Sequence, residues 1–292
     1  MRNIVLNTCY AAWVEKRGVV CVGLDTALDY VPEHIREGRT FGEAIFEFNK
    51  QIIDSTYDVA ACFKVQIAYY EALGLEGLVA YKKTLEYLRE RDEIIIADIK
   101  RGDIAATAKM YAKAHFEGDF EADFITLSPY MGMDSIEPYM PYLESGKKGV
   151  FTLVRTSNQG AEDIEYMDTL EGKKVYEVVA DKITEMSKGC TGRCGYTAIG
   201  GVIGCTHIDE GKKIRANYNN MFFLIPGYGA QGGTAEDVAL YLKNGNGGVV
   251  NSSRGILLAY KKAGRCAEDF AICAREEAIK MRNSIQLAVN NK

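Results

Sequence analysis

The stretch that decides the fold is Ile94-Ile95-Ile96-Ala97-Asp98-Ile99-Lys100, a short apolar run that ends in charged residues. A run of this length that is rich in β-branched residues is typical of a buried strand. Similar runs recur along the 292 residues, and segments with helical periodicity alternate with them. The eight strands predicted in this way are 19–25, 60–66, 94–100, 124–130, 149–157, 197–206, 221–229 and 247–254.

Strands that alternate with helices are joined by right-handed crossovers, and eight such units close into a barrel. We therefore predict an α/β fold, a (β/α)8 TIM barrel, in a single domain over residues 1–292. Thr40-Phe41-Gly42-Glu43 has the pattern of a capping box at a helix start, and 234–237 is a weaker version of it. A doubly wound open sheet is the alternative. In a barrel, catalytic side chains are expected at the carboxyl ends of the strands.

Composition excludes several classes of partner. The formal net charge is −5, so no broad basic surface is expected for nucleic acid. No apolar stretch is long enough to span a membrane, and residues 1–18 lack the apolar core of a secretory signal. The 8 cysteines are scattered, some within apolar runs. This pattern predicts a reduced, cytoplasmic protein.

The third predicted strand ends in a cluster of charges. Side chains alternate along a strand, so Asp98 and Lys100 are expected to point to the same side, into the barrel mouth. Gly102 allows a turn, and Asp103 can then cap the following helix, on one face with Thr107. The alternative is structural: Asp98 and Lys100 would form a simple ion pair and Asp103 would be only an N-cap.

A second lysine lies inside the apolar second strand. Lys64, in Phe63-Lys64-Val65-Gln66, needs a counter-charge there, and Asp25 at the end of the first strand or Asp98 would supply one. Alternating charges of this kind shift one another's pKa values and often mark a functional site.

The last two strands end in groups suited to an anion. Residues 227–233 contain four glycines, which free the backbone to wrap an anion with its N–H groups, and Arg254 follows the eighth strand. The loops after strands seven and eight are where barrels commonly bind phosphate. A mobile connection is the alternative for the glycine-rich loop alone; together with Arg254 it predicts a phosphate site.

With these residues in place, the chain resembles the orotidine 5′-monophosphate decarboxylase family, particularly its longer bacterial subgroup. The resemblance rests on Asp98-x-Lys100-x-x-Asp103-Ile104. The other matching segments, in the expected order, are 63–66, 128–132, 226–232 and the strand end at Arg254. The resemblance covers residues 19–255. The pattern Asp-x-Lys-x-x-Asp alone, however, also occurs in a sister family of sugar-phosphate decarboxylases.

The resemblance implies the catalytic roles. Lys100 corresponds to the acid that protonates C6 of the pyrimidine after carbon dioxide leaves, and Asp98 to the carboxylate beside the departing group. Asp103 would reach across the interface of a homodimer into the partner's site, with Ile104 and Thr107 beside it. No cofactor is implied.

The resemblance also implies the substrate-binding residues of a small nucleotide. Asp25 and Lys64 correspond to the ribose-hydroxyl contacts, and Ser157 to the serine that hydrogen-bonds the pyrimidine edge, unless it is an ordinary loop serine. Around the phosphate, the matching positions are Gln231 and Arg254 as ligands, with Gly232, Pro226 and Tyr228 as further substrate-binding residues.

One residue departs from the family pattern, and two other functions stay open. Many relatives have glycine where this chain has Ser253, which puts the backbone contact to phosphate in doubt. The sister class decarboxylates keto-sugar phosphates with a magnesium ion and has a glutamate where Lys64 stands. The other alternative is a non-catalytic barrel that binds a phosphorylated ligand.

A zinc site from Cys190 and Cys194 with Cys205 and His207 is disfavoured, since the spacing matches no strong pattern.

Overall fold

The fold is a closed barrel in which each strand pairs in parallel with the next and the last strand pairs with the first. The computed structural model describes residues 6–205 and 208–292. Within them the strands are β1 Val20–Gly23, β2 Cys62–Gln66, β3 Ile95–Arg101, β4 Phe124–Leu127, β5 Gly149–Arg155, β6 Ile199–Ile203, β7 Phe223–Ile225 and β8 Gly248–Ser252. The predicted (β/α)8 TIM barrel is confirmed.

All eight strands lie where the apolar runs predicted them, but most are shorter. The predicted ends at 128–130 and 226–229, for example, belong to loops that follow β4 and β7. Thr206, the predicted end of the sixth strand, and His207 lie outside the described residues.

The helices surround the barrel. In the same described ranges they are α1 Leu6–Arg17, α2 Glu33–Arg36, α3 Phe41–Thr56, α4 Ala68–Glu71, α5 Gly74–Glu90, α6 Ala105–Phe116, α7 Met140–Glu144, α8 Val175–Met186, α9 Ile208–Asn217, α10 Ala235–Tyr241, α11 Arg254–Leu257, α12 Ala259–Lys262 and α13 Phe270–Asn290. Among the helices described, none has the length and apolar character needed to cross a membrane.

Both predicted helix starts are present. The Thr40 hydroxyl accepts from the amide of Glu43, and the Glu43 carboxylate accepts from the amide of Thr40 at 2.9 Å. Thr234 and Asp237 form the same reciprocal pair at the start of α10. Each pair satisfies amides that would otherwise lack acceptors at the first turn of a helix.

Helix α1 closes the barrel at the amino ends of the strands. The ring of Tyr10 lies 4.7 Å from that of Phe124 and 4.6 Å from that of Phe222, and its hydroxyl lies 3.2 Å from Sγ of Cys62. These residues stand at or just before the starts of β4, β7 and β2. The opposite end, where the strands finish, is therefore the open one.

Candidate active site

A cavity of about 480 Å³ opens at the carboxyl ends of the strands. Residues from both ends of the chain line it, because the closed barrel brings all the strand ends to one rim. The residues predicted from sequence that line this cavity are Asp25, Lys64, Asp98, Lys100, Ser157, Pro226, Tyr228, Gln231 and Arg254.

A larger cavity, about 680 Å³, lies at the amino end of the barrel between α1 and α13. It is lined by Lys16, Lys243 and Arg282 among others, but none of the ionisable side chains that line it is buried. Catalytic groups in barrels lie at the carboxyl end. The smaller cavity is therefore the candidate active site.

Asp98 is the centre of the site. Its Oδ1 accepts from Nζ of Lys100 at 2.6 Å and from the Thr126 hydroxyl at 2.9 Å. Its Oδ2 accepts from Nε2 of Gln66 at 2.9 Å and lies 3.1 Å from Nζ of Lys64. A carboxylate has about four lone-pair positions, so these four donors fill its capacity and fix its orientation.

The charges of the site stabilise one another. Burial alone would raise the pKa of Asp98, but Lys64 and Lys100 outweigh it and hold the pKa at about 2. Burial would lower the pKa of Lys64, but Asp25, 2.7 Å from its Nζ, and Asp98 raise it well above its usual value. The cavity floor therefore carries two carboxylates and two ammonium groups in alternation, and the pKa shifts of Asp98 and Lys64 both favour the charged forms.

Lys100 reaches Asp98 through an irregular strand end. Its φ is +44°, a left-handed conformation that costs a residue with a Cβ atom about 1–3 kcal/mol. Strand β3 bulges there relative to β4, between Ala97 and Arg101. The predicted contact of Asp98 and Lys100 is present, but regular alternation along a strand is not its cause.

The glycine-rich loop after β7 is folded on itself. Gly227, Gly229 and Gly232 have positive φ values of 106°, 67° and 93°, which a Cβ atom would disfavour. The amides of Gly229, Ala230, Gly232 and Gly233 donate to carbonyls within the loop. These four amides are therefore already paired, so they do not meet the expectation that the loop backbone is free to wrap an anion. The side chains of Gln231 and Arg254 line the cavity and are the groups suited to an anion.

Ser157 lies in a loop next to a cluster around the buried Arg155. Arg155, which is 0% exposed, donates from Nε and Nη2 to the Tyr166 hydroxyl at 2.8 and 2.7 Å. That hydroxyl donates to Oε2 of Glu210 at 2.7 Å. The segment after Ser157 thus folds back onto the end of β5, and Thr156 is tied to Glu165 through its amide and hydroxyl.

Four predicted residues do not line the cavity of this single chain: Asp103, Ile104, Thr107 and Gly232. Asp103 is also not the cap of the following helix, because α6 begins at Ala105 with Ile104 as its N-cap, and the Asp103 carboxylate accepts from the amide of its neighbour Ile104, at 2.8 Å. It therefore lies outside the helix and does not share a helical face with Thr107. The roles assigned to these four residues stay predictions.

Ser253 occupies space that a glycine leaves open. A Cβ atom on Gly23 would lie 1.9 Å from Oγ of Ser253 and 2.8 Å from Oδ1 of Asn251. Asn251 in turn donates to Oγ of Ser253 at 3.3 Å. The serine hydroxyl is thus accommodated next to the end of β1, beside Arg254.

Among the polar residues that line the cavity, Gln66, Thr126 and Asn251 were assigned no role from the sequence. Gln66 stands two positions after Lys64, so strand alternation could have found it. Asn251 stands among the polar residues at the end of β8, three positions before Arg254. For Thr126, a threonine in an apolar strand, the sequence holds no clear signal.

A closed parallel barrel whose charged side chains gather at the carboxyl ends of the strands belongs to the class of barrel enzymes. A family model described as the orotidine 5′-phosphate decarboxylase / HUMPS family matches residues 18–268. The chain belongs to this family.

The relatives are similar over almost their whole length. The orotidine 5′-phosphate decarboxylase of Clostridium tetani is 66% identical over 281 residues, which are 96% of this chain and 97% of that protein. The protein of the same name from Clostridium perfringens is 68% identical over 277 residues, 94% and 96% of the two chains. Among solved structures, the OMP decarboxylase of Leishmania donovani has a TM-score of 0.76 at 29% identity and covers 96% of this chain and 99% of its own.

Proposed function

We propose that this protein is a carboxy-lyase that decarboxylates orotidine 5′-monophosphate to uridine 5′-monophosphate, the last step of pyrimidine nucleotide synthesis, without a cofactor. The observation that carries the proposal is the Lys100 ammonium, held 2.6 Å from the buried Asp98 carboxylate at the open end of the barrel. Close relatives that bear the name orotidine 5′-phosphate decarboxylase support it.

The chemistry requires a fixed positive charge. When the bond from C6 to the carboxylate breaks, carbon dioxide leaves and the electron pair stays on C6 in an orbital that the ring cannot delocalise. An ammonium held at C6 stabilises this charge and then delivers a proton to it, so that Lys100 finishes as an amine. The amine regains its proton from solvent, which the exposed half of its side chain contacts.

Asp98 orients the ammonium and repels the substrate carboxylate. Its low pKa keeps it charged throughout the neutral range. Two like charges about 4 Å apart interact by about 4 kcal/mol at an effective dielectric near 20. Such repulsion would be relieved as the bond breaks, because the carbon dioxide that leaves is neutral and the negative charge stays on C6.

The remaining cavity residues would bind the nucleotide. In this proposal Asp25 and Lys64 hold the ribose hydroxyls, Ser157 the pyrimidine edge, and Gln231 and Arg254 the phosphate. Phosphate binding far from the reacting bond can then hold the charged groups in their reactive positions.

One assay distinguishes this function from its alternatives. We expect loss of orotidine 5′-monophosphate absorbance at an unchanged rate when a chelator is present, because the Lys64 ammonium lies between Asp25 and Asp98, where it would repel a metal ion. A rate that requires magnesium would favour the keto-sugar phosphate chemistry. Tight nucleotide binding without release of carbon dioxide would favour a non-catalytic barrel that binds a phosphorylated ligand.

We further propose a homodimer that completes each site with Asp103, Ile104 and Thr107 of the other subunit. The support is an exposed apolar surface around these residues: Ile104 is 43% exposed, and Tyr130, in the neighbouring loop after β4, is 82% exposed. The two loops touch at Gly102, where a Cβ atom would lie 3.1 Å from the Ser128 carbonyl.

Mixing two inactive variants tests the shared site. Lys100→Ala and Asp103→Ala homodimers should each be inactive, whereas randomly mixed subunits should regain about a quarter of wild-type activity, because half the dimers then hold one intact site. Each variant alone is the matched control. No recovery in a mixture whose heterodimers are demonstrated by a different tag on each variant would mean that Asp103 serves its own subunit.

Residues 1–292 are proposed to form one catalytic domain that acts in the cytoplasm. The position of the cysteines supports the reducing compartment, since Cys21, Cys62 and Cys205 are buried in or next to barrel strands.

A further inference from the structure

Thr126 lies opposite a bulge in the strand that carries Lys100. Ala97 pairs with Ile125 and Arg101 pairs with Leu127, so β3 advances four residues while β4 advances two. The extra residues of β3 cannot all find carbonyl partners in the ladder. The hydroxyl of Thr126 takes that place, because it accepts from the amides of Ile99 and Lys100, both at 2.9 Å.

The same hydroxyl reaches the other end of the lysine. It donates its proton to Oδ1 of Asp98 at 2.9 Å, and this is the oxygen on which the Lys100 ammonium rests at 2.6 Å. A hydroxyl has one donor and two acceptor positions, and here all three are used. Thr126 thereby fixes both the backbone of Lys100 and the carboxylate that holds its side chain.

Thr126 makes these contacts at a residue, Lys100, whose backbone is in a disfavoured conformation. Lys100 has a φ of +44°, and such a conformation persists only when surrounding contacts determine it. Thr126 is 1% exposed, so water cannot easily replace the hydroxyl as the acceptor of the two amides. Without the hydroxyl, the bulge is expected to relax and carry the ammonium away from its position over Asp98.

We infer that Thr126 is a positioning residue that aims the Lys100 ammonium at the reacting carbon by holding the β3 bulge. The inference rests on the proposed function, in which Lys100 delivers the proton. It assigns to β4 a role in the chemistry, although Thr126 itself need not touch the substrate.

The test compares Thr126→Val, which keeps the shape and removes the hydroxyl, with Thr126→Ser, which keeps the hydroxyl. Thr152→Val is the matched control, because Thr152 is a buried barrel threonine on the neighbouring β5 whose hydroxyl has no hydrogen-bond partner among the described residues. For each variant, kcat is measured together with Kd for uridine 5′-monophosphate.

We expect Thr126→Val to lose about 10²-fold in kcat, the cost of a small misplacement of a reacting group, with Kd for uridine 5′-monophosphate unchanged. Thr126→Ser should restore most of kcat, and Thr152→Val should equal wild type. A Thr126→Val protein with wild-type kcat would overturn the inference. So would one in which kcat and affinity fall together, or a serine variant as impaired as the valine variant.

Two further measurements keep the outcome decisive. If Thr126→Val does not fold, Thr126→Cys replaces it, since a thiol is only a weak donor and acceptor. If the wild-type protein does not decarboxylate the nucleotide, the proposed function fails, and crystal structures of the variants then decide the inference. Lys100 still against Asp98 in the valine variant would overturn it, and Lys100 displaced there but not in the serine variant would support it.

Discussion

Nζ of Lys100 lies 2.6 Å from Oδ1 of Asp98, and the two side chains differ sharply in exposure, at 47% and 8%. The Asp98 carboxylate is thus held in place in the barrel floor, and the Lys100 ammonium extends from it into the cavity. The exposed ammonium can contact a ligand in the cavity, whereas burial holds its partner in place. This geometry is that of a charge presented to a ligand.

The first prediction concerns Lys100. Lys100→Ala should reduce kcat by more than the roughly 10²–10³-fold that removal of one oxyanion donor costs, because the ammonium both stabilises the carbanion and protonates it. The spectrophotometric decarboxylation assay measures this loss. Binding of uridine 5′-monophosphate by the same variant shows whether the cavity is intact, and near wild-type turnover would contradict the mechanism.

The second prediction concerns Arg254. Its guanidinium is exposed at the cavity and makes no ion pair or hydrogen bond within the parts of the chain described here, so it is available to a phosphate. Arg254→Ala should raise KM and lower kcat/KM by about 10²-fold, as expected for a charge-assisted contact worth about 3 kcal/mol. Arg254→Lys keeps the charge but not the planar guanidinium, so its KM should lie between those of wild type and Arg254→Ala. Equal KM values for all three proteins would remove Arg254 from the phosphate site.

The third prediction concerns acid stability. Since the pKa of Asp98 is lowered from 3.8 to about 2, its ionised form stabilises the folded state above pH 4, and this contribution is lost as pH falls from about 4 to about 2. Its size is about 2 kcal/mol. Urea unfolding of wild type and Asp98→Asn between pH 5 and 2.5 should show the two free energies of unfolding converging as the pH falls. A difference that is constant with pH would contradict the assignment.

The fourth prediction concerns the cluster behind Ser157. Tyr166→Phe removes the hydroxyl that bonds both Arg155 and Glu210 and leaves only their direct contact at 3.2 Å, so the loop that carries Ser157 should loosen. Affinity for uridine 5′-monophosphate should fall about fivefold, the value of one hydrogen bond, whereas affinity for ribose 5-phosphate, which lacks the base, should not change.

The control for this cluster is Tyr176→Phe. The Tyr176 ring lies 5.6 Å from that of Tyr166, but none of the hydrogen bonds among the described residues involves its hydroxyl. Both affinities of the control should equal those of wild type. If Tyr166→Phe weakens both ligands alike, the cluster supports the whole barrel end and not the base-binding loop.

The sequence predicted the barrel because each strand carries its own signal in a run of apolar residues. It also predicted that Asp25 or Asp98 would supply a counter-charge to Lys64, since a buried lysine requires one whatever the details of the fold, and both carboxylates contact it. The β3 bulge and the role of Thr126 could not be predicted. They depend on the register between β3 and β4, which tertiary packing determines.

The dependence on tertiary packing also explains why the prediction that Asp103 caps the following helix was wrong. An aspartate three residues after a strand has the pattern of an N-cap, but α6 begins later, at Ala105, whose φ of +48° marks a sharp turn into the helix. The cluster of Arg155, Tyr166 and Glu210 was missed because its members are far apart in the sequence and only the folded chain brings them together.

The contact between position 23 and position 253 restricts the order in which this site can diverge. Because the Ser253 hydroxyl fills the space beside Gly23, alanine at 23 would force the Ser253 side chain to move. A lineage that first replaces Ser253 by glycine removes the closest of these contacts, but Oδ1 of Asn251, 2.8 Å from the same Cβ atom, must still move before position 23 can vary. Positions 23, 251 and 253 should therefore diverge together and not one at a time.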